Sequence, residues 1–300
     1  MSVRGQTIAV TGATGFLGGY LVDRLLAAGA IPRAVVRDVA KAAPLAARGV
    51  AVAQAELADR AALAEAFRGC DAVIGNAALF TLDWTSAKAF DDANRVGTEN
   101  VFDACADVGV KRVVQVSSAS IYKGPPWGLQ DESTPRLTAS DAWWMWSYAV
   151  SKSLSEEVAW ERSKKHGIAL TVIRPGGLLG PGDREAVPKF QWFLRTFPLL
   201  PAPGLAFPFC HGEDVAAGTV AALGTDVAIG RAYTLGGDPS VTLGDWLRAW
   251  REARGGGPWF VPLPGFGLGI RHDNTAAIRD LGYQIRSPLE TCRDIEGSKT

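Results

Sequence analysis

The sequence predicts an α/β fold, a doubly wound parallel sheet with helices on both faces and a smaller C-terminal lobe. Three observations predict it. Short β-branched runs alternate with helical patterns through roughly the first 175 residues. A glycine-rich turn lies between the first strand and the first helix. The composition then changes over the last 125 residues, where Pro175, Pro181, Pro188, Pro198, Pro201, Pro203 and Pro208 interrupt a segment rich in phenylalanine.

Residues 7–10 read as a short apolar strand running into the turn, and residues 16–28 as a helix ended by Gly29. Ile31–Val36 is the second strand, and further β-branched runs follow at 50–54, Ala72–Gly75, Arg112–Val116 and 170–173. Helical patterns at Arg60–Phe67, 87–108 and 144–165 separate most of them. No internal repeat or low-complexity linker divides the chain, so the lobe is expected to pack on the sheet. Boundaries are expected at 1–175 for the sheet domain and 176–300 for the lobe, with some lobe segments returning to the core.

Bulk properties narrow the function. The chain has 300 residues, of which 47% are hydrophobic and 21% charged, enough to bury a large core. Its 31 basic and 31 acidic residues balance, with no basic stripe, which argues against nucleic acid or an anionic membrane surface. A small-molecule partner is expected. Cys70, Cys105, Cys210 and Cys292 lack paired spacing and have three histidines to help them, so neither a metal site nor a disulfide framework is suggested. The first ten residues lack the features of a signal peptide, and no apolar run is long enough for a spanning helix. A cytoplasmic location is expected.

The sharpest local signal is TGATGFLG at residues 11–18. Glycine is needed where the backbone turns tightly, where it nears a pyrophosphate and where helix meets strand, and the free N–H groups of the helix hold the anion. Gly12, Gly15 and Gly18 follow a Gly-x-x-Gly-x-x-Gly spacing that only partly matches the commoner dinucleotide fingerprint. Arg37 ends the second strand 19 residues beyond Gly18. An acidic residue there would bind the ribose 2′-OH of NAD, whereas an arginine can grip the 2′-phosphate of NADP. Arg37 therefore favours NADP, with Asp38 and Arg33 nearby leaving a solvated surface charge as the competing explanation.

Tyr148 and Lys152 lie four apart in a predicted helix and so share one face. A nearby ammonium stabilises a phenolate and lowers the tyrosine pKa, so such a pair can exchange a proton near neutrality. Ser118, just past the strand Arg112–Val116, adds a hydroxyl at the carboxyl end of the sheet, where ligands of doubly wound folds gather.

With these residues in place, the chain resembles the extended short-chain dehydrogenase/reductase family, which includes the NAD(P)-dependent epimerases and dehydratases and has a Rossmann-type fold. TGATGFLG looks like that family's own glycine motif. Asn76-Ala77-Ala78, Asn94 with Gly97, Thr98 and Asn100, VSSASIY, residues 131–135, Tyr148 to Lys152, and Arg174-Pro175 through Gly180-Pro181-Gly182-Asp183 follow in the family's order. The resemblance implies that Tyr148 is the general acid/base, that Lys152 holds the nicotinamide ribose and that Ser118 binds the reacting oxygen. Asn94 is a fourth candidate, with a packing amide that orders nearby backbone as the alternative. Ser117 is the alternative hydroxyl. The cofactor contacts implied are Gly12, Thr14, Gly15, Phe16, Leu17, Gly18, Arg37, Asn76, Ala77, Ala78, Tyr148, Lys152 and Pro175. Glu56 and Leu57 fall where the family contacts adenine, with glutamate in place of the usual aspartate. His211 and Asp214 sit in a segment resembling a structural one. The family often forms homodimers, which is the assembly expected.

The family's site supports reduction, epimerisation and dehydration. Related dehydratases place an Asp-Glu pair beside the active hydroxyl; here Ala119 and Ser120 follow Ser118. Sugar-nucleotide enzymes tend to carry asparagine shortly after the Arg-Pro pair; here Gly176-Gly177-Leu178 follow. Trp127, Trp143, Trp144, Met145 and Trp146 near the tyrosine, with the aromatic lobe, suit an apolar substrate, unless they serve core packing or an interface. The reading is hydride transfer between NADP(H), rather than NAD, and a carbonyl/alcohol pair on an apolar or aromatic substrate. A nucleotide-sugar epimerase or dehydratase and a non-catalytic NADP sensor are the alternatives.

Overall fold

The computed structural model describes residues 2–80, 87–125, 127–141, 147–207, 209–265 and 268–298. Its strands are β1 Thr7–Thr11, β2 Ile31–Val36, β3 Ala51–Gln54, β4 Ala72–Gly75, β5 Arg112–Val116, β6 Leu129–Gln130, β7 Ala169–Pro175, β8 Gly177–Leu179, β9 Leu199–Pro203, β10 Phe209–His211, β11 Arg231–Leu235, β12 Trp259–Leu263 and β13 Arg271–His272. Seven form one parallel sheet in the order β3-β2-β1-β4-β5-β7-β11, and the others pair as β8 with β10, β9 with β12 and β6 with β13. This is the Rossmann-type arrangement that the alternation predicts.

The central strands are apolar along almost their whole length because both faces are covered. Helices Phe16–Ala27, Gly212–Leu223 and Thr275–Leu281 bury Leu21, Val22, Val215, Val220 and Ala277 on one face. Helices Arg60–Phe67, Gly97–Val108 and Ser147–His166 bury Leu63, Phe67, Phe102 and Ala159 on the other. The lobe has its own core of Leu179, Val187, Leu194, Trp246 and Trp250. Three lobe segments join the sheet domain: β11 extends the sheet beside β7, the helix Gly212–Leu223 packs on Phe16–Ala27, and Thr275–Leu281 packs on β11 and Gly212–Leu223.

The helix expected over 87–108 is divided into Ala87–Phe90, a π-helical turn Asp91–Val96 and Gly97–Val108. The wide turn carries Asn94 inward, and its side chain is 2% exposed. Hydrophobic periodicity does not register an inserted residue, so the interruption left no signal in the pattern.

Between β1 and β4 the strand order reverses. The connections leaving these two strands cross the sheet on opposite sides, and a crevice opens at their carboxyl ends.

Candidate active site

The turn after β1 and the turn after β4 meet at contact distance. Gly12 has φ of 67°, and a Cβ on it would lie 2.9 Å from the Ala77 Cα. The Thr11 hydroxyl accepts hydrogen bonds from the backbone N–H groups of Asn76 and Ala77, both at 3.0 Å, which clamps the two turns together. Gly15 stands at the N-cap of Phe16–Ala27, with no acidic residue in the first turn. A Cβ on Gly18 would sit 2.1 Å from the Gly12 carbonyl oxygen. The seven-residue glycine spacing thus folds the helix's first turn directly under the strand-end carbonyl. Three absent side chains leave a bare, positively polarised helix end that fits a pyrophosphate.

A cleft of about 2010 Å³ runs from this cradle across the sheet to the lobe. Gly12, Thr14, Gly15, Phe16, Leu17, Arg37, Glu56, Leu57, Asn76, Ala77, Ala78, Ser118, Tyr148, Lys152 and Pro175 all line it, so the residues singled out from the sequence converge on one place. Gly18 lies just beneath, supporting the turn. Arg37 is exposed at the cleft's rim and has no ion-pair partner among the described residues. Its charged neighbours are engaged elsewhere: Arg33 donates to the carbonyls of Ala66 and Arg68, and Asp38 accepts from the Ala40 N–H. Glu56 is exposed, while Leu57 packs against Gly97, where a Cβ would approach it to 2.9 Å.

Tyr148 and Lys152 extend from one face of Ser147–His166. The edges of Phe80 and Phe90 pack on the Tyr148 ring at centroid distances of 5.1 and 6.0 Å. Burial pushes the phenol up to about 12, with a hydrogen bond to Ser118 pulling weakly the other way. Ser118 caps the short turn Ala119–Ile121 by accepting from the Ser120 N–H, and its hydroxyl contacts the Ser120 hydroxyl at 2.9 Å. Lys152 is 3% exposed and donates to the Val116 carbonyl at 2.8 Å. Burial pushes its ammonium down to about 8, against the upward pull of the Glu156 carboxylate. The ammonium is turned to the Val116 backbone carbonyl, and burial sets the direction of the phenol's shift.

Asn94 accepts from the Leu79 N–H at 2.7 Å and donates to the Leu79 carbonyl and to the Ser151 hydroxyl. Its amide is committed to ordering the cleft wall and the residue preceding Lys152. His211 caps the helix Gly212–Leu223 by accepting from the Glu213 N–H, and Asp214 accepts from the Arg286 N–H. Trp127 is 61% exposed and does not line the cleft, whereas Phe190, Phe193, Phe207 and Phe209 of the lobe do. Trp143, Trp144, Met145 and Trp146 lie outside the described residues.

Several site residues escaped the sequence. Glu156 is 1% exposed and bridges Arg174 at 2.6 and 3.1 Å. It continues the spacing of four from Tyr148 through Lys152, which is the signal that could have revealed it. Tyr122 bonds Arg174 and Thr234, joining the Ser118 turn to the same network. Thr11 was visible only as the first letter of the glycine motif.

A glycine cradle at the sheet's switch point with a Ser/Tyr/Lys set beside it is the arrangement of the extended short-chain dehydrogenase/reductase type. Residues 8–236 match the model of the NAD dependent epimerase/dehydratase family, and the chain belongs to that family. Cinnamoyl-CoA reductase 1 of Petunia hybrida is 36% identical over 194 residues, 60% of this chain and 56% of that protein, so the chain spans little more than half of that relative. A 4-hydroxy-2-methyl-3-oxo-4-farnesyl-3,4-dihydroquinoline-1-oxide ketoreductase of Stigmatella aurantiaca is 30% identical over 249 residues, covering 82% of this chain and 72% of that one. The yeast methylglyoxal/isovaleraldehyde reductase Gre2, solved with NADPH, shares the fold with a TM-score of 0.83 at 21% identity over 97% of each chain. No described helix is long and apolar enough to cross a membrane.

The Lys152 shift has a measurable consequence. Below about pH 8 the lysine is charged in both folded and unfolded chains, and the folded state carries the full cost of burying the charge. Between about pH 8 and its unfolded value near 10.5, the unfolded chain holds a proton that the folded one has released, so stability rises with pH. Relative to Lys152→Met, the parent should gain about 1–3 kcal/mol between pH 7 and pH 10 in urea unfolding. Parallel stability profiles for the two proteins would contradict the shift.

Proposed function

We propose that this protein is an NADP(H)-dependent reductase acting on a ketone or aldehyde of a largely apolar or aromatic small molecule, with the reverse alcohol oxidation at the same site. The observation that carries this reading is the Ser118–Tyr148 hydrogen-bonded pair in a cleft also lined by Phe190, Phe193 and Phe207. NADPH, when bound, supplies the hydride that reduces the carbonyl carbon.

The residues divide the remaining work. Burial keeps the Tyr148 phenol protonated at neutral pH, and Tyr148 gives that proton to the carbonyl oxygen as charge develops there. The Ser118 hydroxyl donates to the same oxygen and polarises it. Lys152 places a cation beside the Val116 carbonyl, where it is positioned to hold the nicotinamide ribose and to share the developing charge. The helix N-terminus at Gly15 takes the pyrophosphate, and Arg37 takes the 2′-phosphate that distinguishes NADP from NAD.

Two sequence departures support reduction over sugar-nucleotide chemistry. Ala119 and Ser120 offer no carboxyl pair for elimination. At Gly177 a side chain would meet the Phe209 ring at 2.8 Å, so the aromatic wall occupies the room an asparagine would need. The petunia and Stigmatella relatives are named as reductases, which agrees with this direction.

Tyr148→Phe should lower kcat for an aromatic ketone about 10²–10⁴-fold while leaving NADPH binding within threefold; turnover within tenfold of the parent would remove the acid role. For Arg37→Ala, the ratio of kcat/KM with NADPH to that with NADH should fall tenfold or more, the size of a lost charge-assisted hydrogen bond. An unchanged ratio would mean that the phosphate is held elsewhere.

A further inference from the structure

One polar group on the cleft wall has no part in the chemistry above. β13 pairs with β6 so that His272 stands opposite Gln130, and the Asp273 N–H donates to the Gln130 carbonyl at 2.9 Å. His272, Gln130, Gly124 and Ile270 line the cleft on this side. The histidine is 2% exposed, and neither ring nitrogen has a hydrogen-bond partner among the described residues.

The surroundings fix the ring but do not satisfy it. Its centroid is 6.1 Å from that of Tyr122, four residues beyond Ser118, and the Tyr122 hydroxyl is already committed to Thr234 and Arg174. On another side it packs against Gly236, where a Cβ would come within 3.0 Å of both the His272 Cβ and Nδ1. Asn274 pins that backbone by accepting from the Gly236 N–H and donating to the Gly237 carbonyl. Burial pushes the imidazole down to about 4, so it is neutral at physiological pH.

A neutral imidazole carries one N–H donor and one lone-pair acceptor. Leaving both unused in a buried position costs free energy that an apolar residue of similar volume would avoid. Because His272 lines the cleft, a group bound there is the candidate partner. An uncharged ring cannot compensate a carboxylate or phosphate buried beside it, which leaves neutral oxygen groups.

We infer that His272 is a specificity-determining residue whose imidazole hydrogen-bonds an uncharged oxygen of the substrate, a hydroxyl or second carbonyl set apart from the reacting one. The inference rests on the proposed carbonyl reduction and names the substrate class more narrowly: apolar or aromatic carbonyl compounds bearing an additional neutral oxygen. Tyr148 and Ser118 meet the reacting oxygen, and His272 meets the second.

Two aromatic ketones of one carbon skeleton, with and without a remote hydroxyl, test this with NADPH as donor. In His272→Phe the ratio of kcat/KM for the hydroxyketone to that for the plain ketone should fall at least tenfold, mainly through KM. His272→Asn, which keeps a donor and an acceptor, should recover most of it. A ratio within threefold of the parent's in His272→Phe would overturn the inference. Histidine ¹³Cε1 NMR of the parent chain supplies a reading that does not depend on the variant folding. Adding the hydroxylated alcohol with NADP should move the His272 resonance, assigned against His166→Gln and His272→Asn, and the plain alcohol should move it far less. Equal shifts from both alcohols, or none from the hydroxylated one, would overturn the inference. A parent that reduces neither ketone but shows the His272 shift would defeat the reductase reading and leave the contact standing.

Discussion

The buried pair of Glu156 and Arg174 is the constraint on which the site depends. Burial alone would push the Glu156 carboxyl up, but the hydrogen bonds and charge of Arg174 outweigh it and keep the carboxylate ionised. The pair joins the helix bearing Tyr148 and Lys152 to the end of β7, and through Tyr122 it reaches the turn that carries Ser118. Removing either partner from such a pair leaves an uncompensated buried charge, at a cost of about 3–5 kcal/mol. Three segments far apart in sequence are thereby held in one register. The carboxylate also lies one turn beyond Lys152 and keeps its ammonium from falling further under burial.

That register explains how the site divides its two tasks. At one end, glycines remove every side chain that would keep an anion from the helix terminus, and the Thr11 clamp sets how closely the two turns approach. At the other, Phe80 and Phe90 enclose the Tyr148 ring so that its phenol remains protonated. In the proposed reduction this phenol holds the proton that the carbonyl oxygen would receive. Lys152 is turned toward the Val116 carbonyl, beside the glycine cradle's end of the cleft, where the proposed function has it share the developing charge.

Much of this was legible in the sequence. Alternating runs located six of the seven central strands because strands covered on both faces are short and apolar throughout. The glycine spacing marked the cradle, and the interval of four placed Tyr148 and Lys152 on one face. β11 was not legible, since a five-residue strand after a proline-rich segment has no periodicity of its own. The π-helical turn around Asn94 was hidden for a related reason: one extra residue in a turn changes a side chain's direction without changing the pattern. Glu156 and His272 stand out through burial, and burial of a polar residue is a tertiary fact that local composition does not encode.

In the proposed reaction a hydride reaches an apolar carbonyl in this cleft and the protein itself supplies the proton. The most direct measurement uses NADPH dideuterated at nicotinamide C4 with an aromatic ketone, and mass spectrometry and NMR of the product. One deuterium is expected on the carbinol carbon for each NADPH consumed. A product formed without deuterium at that carbon, or conversion with no net consumption of NADPH, would contradict it.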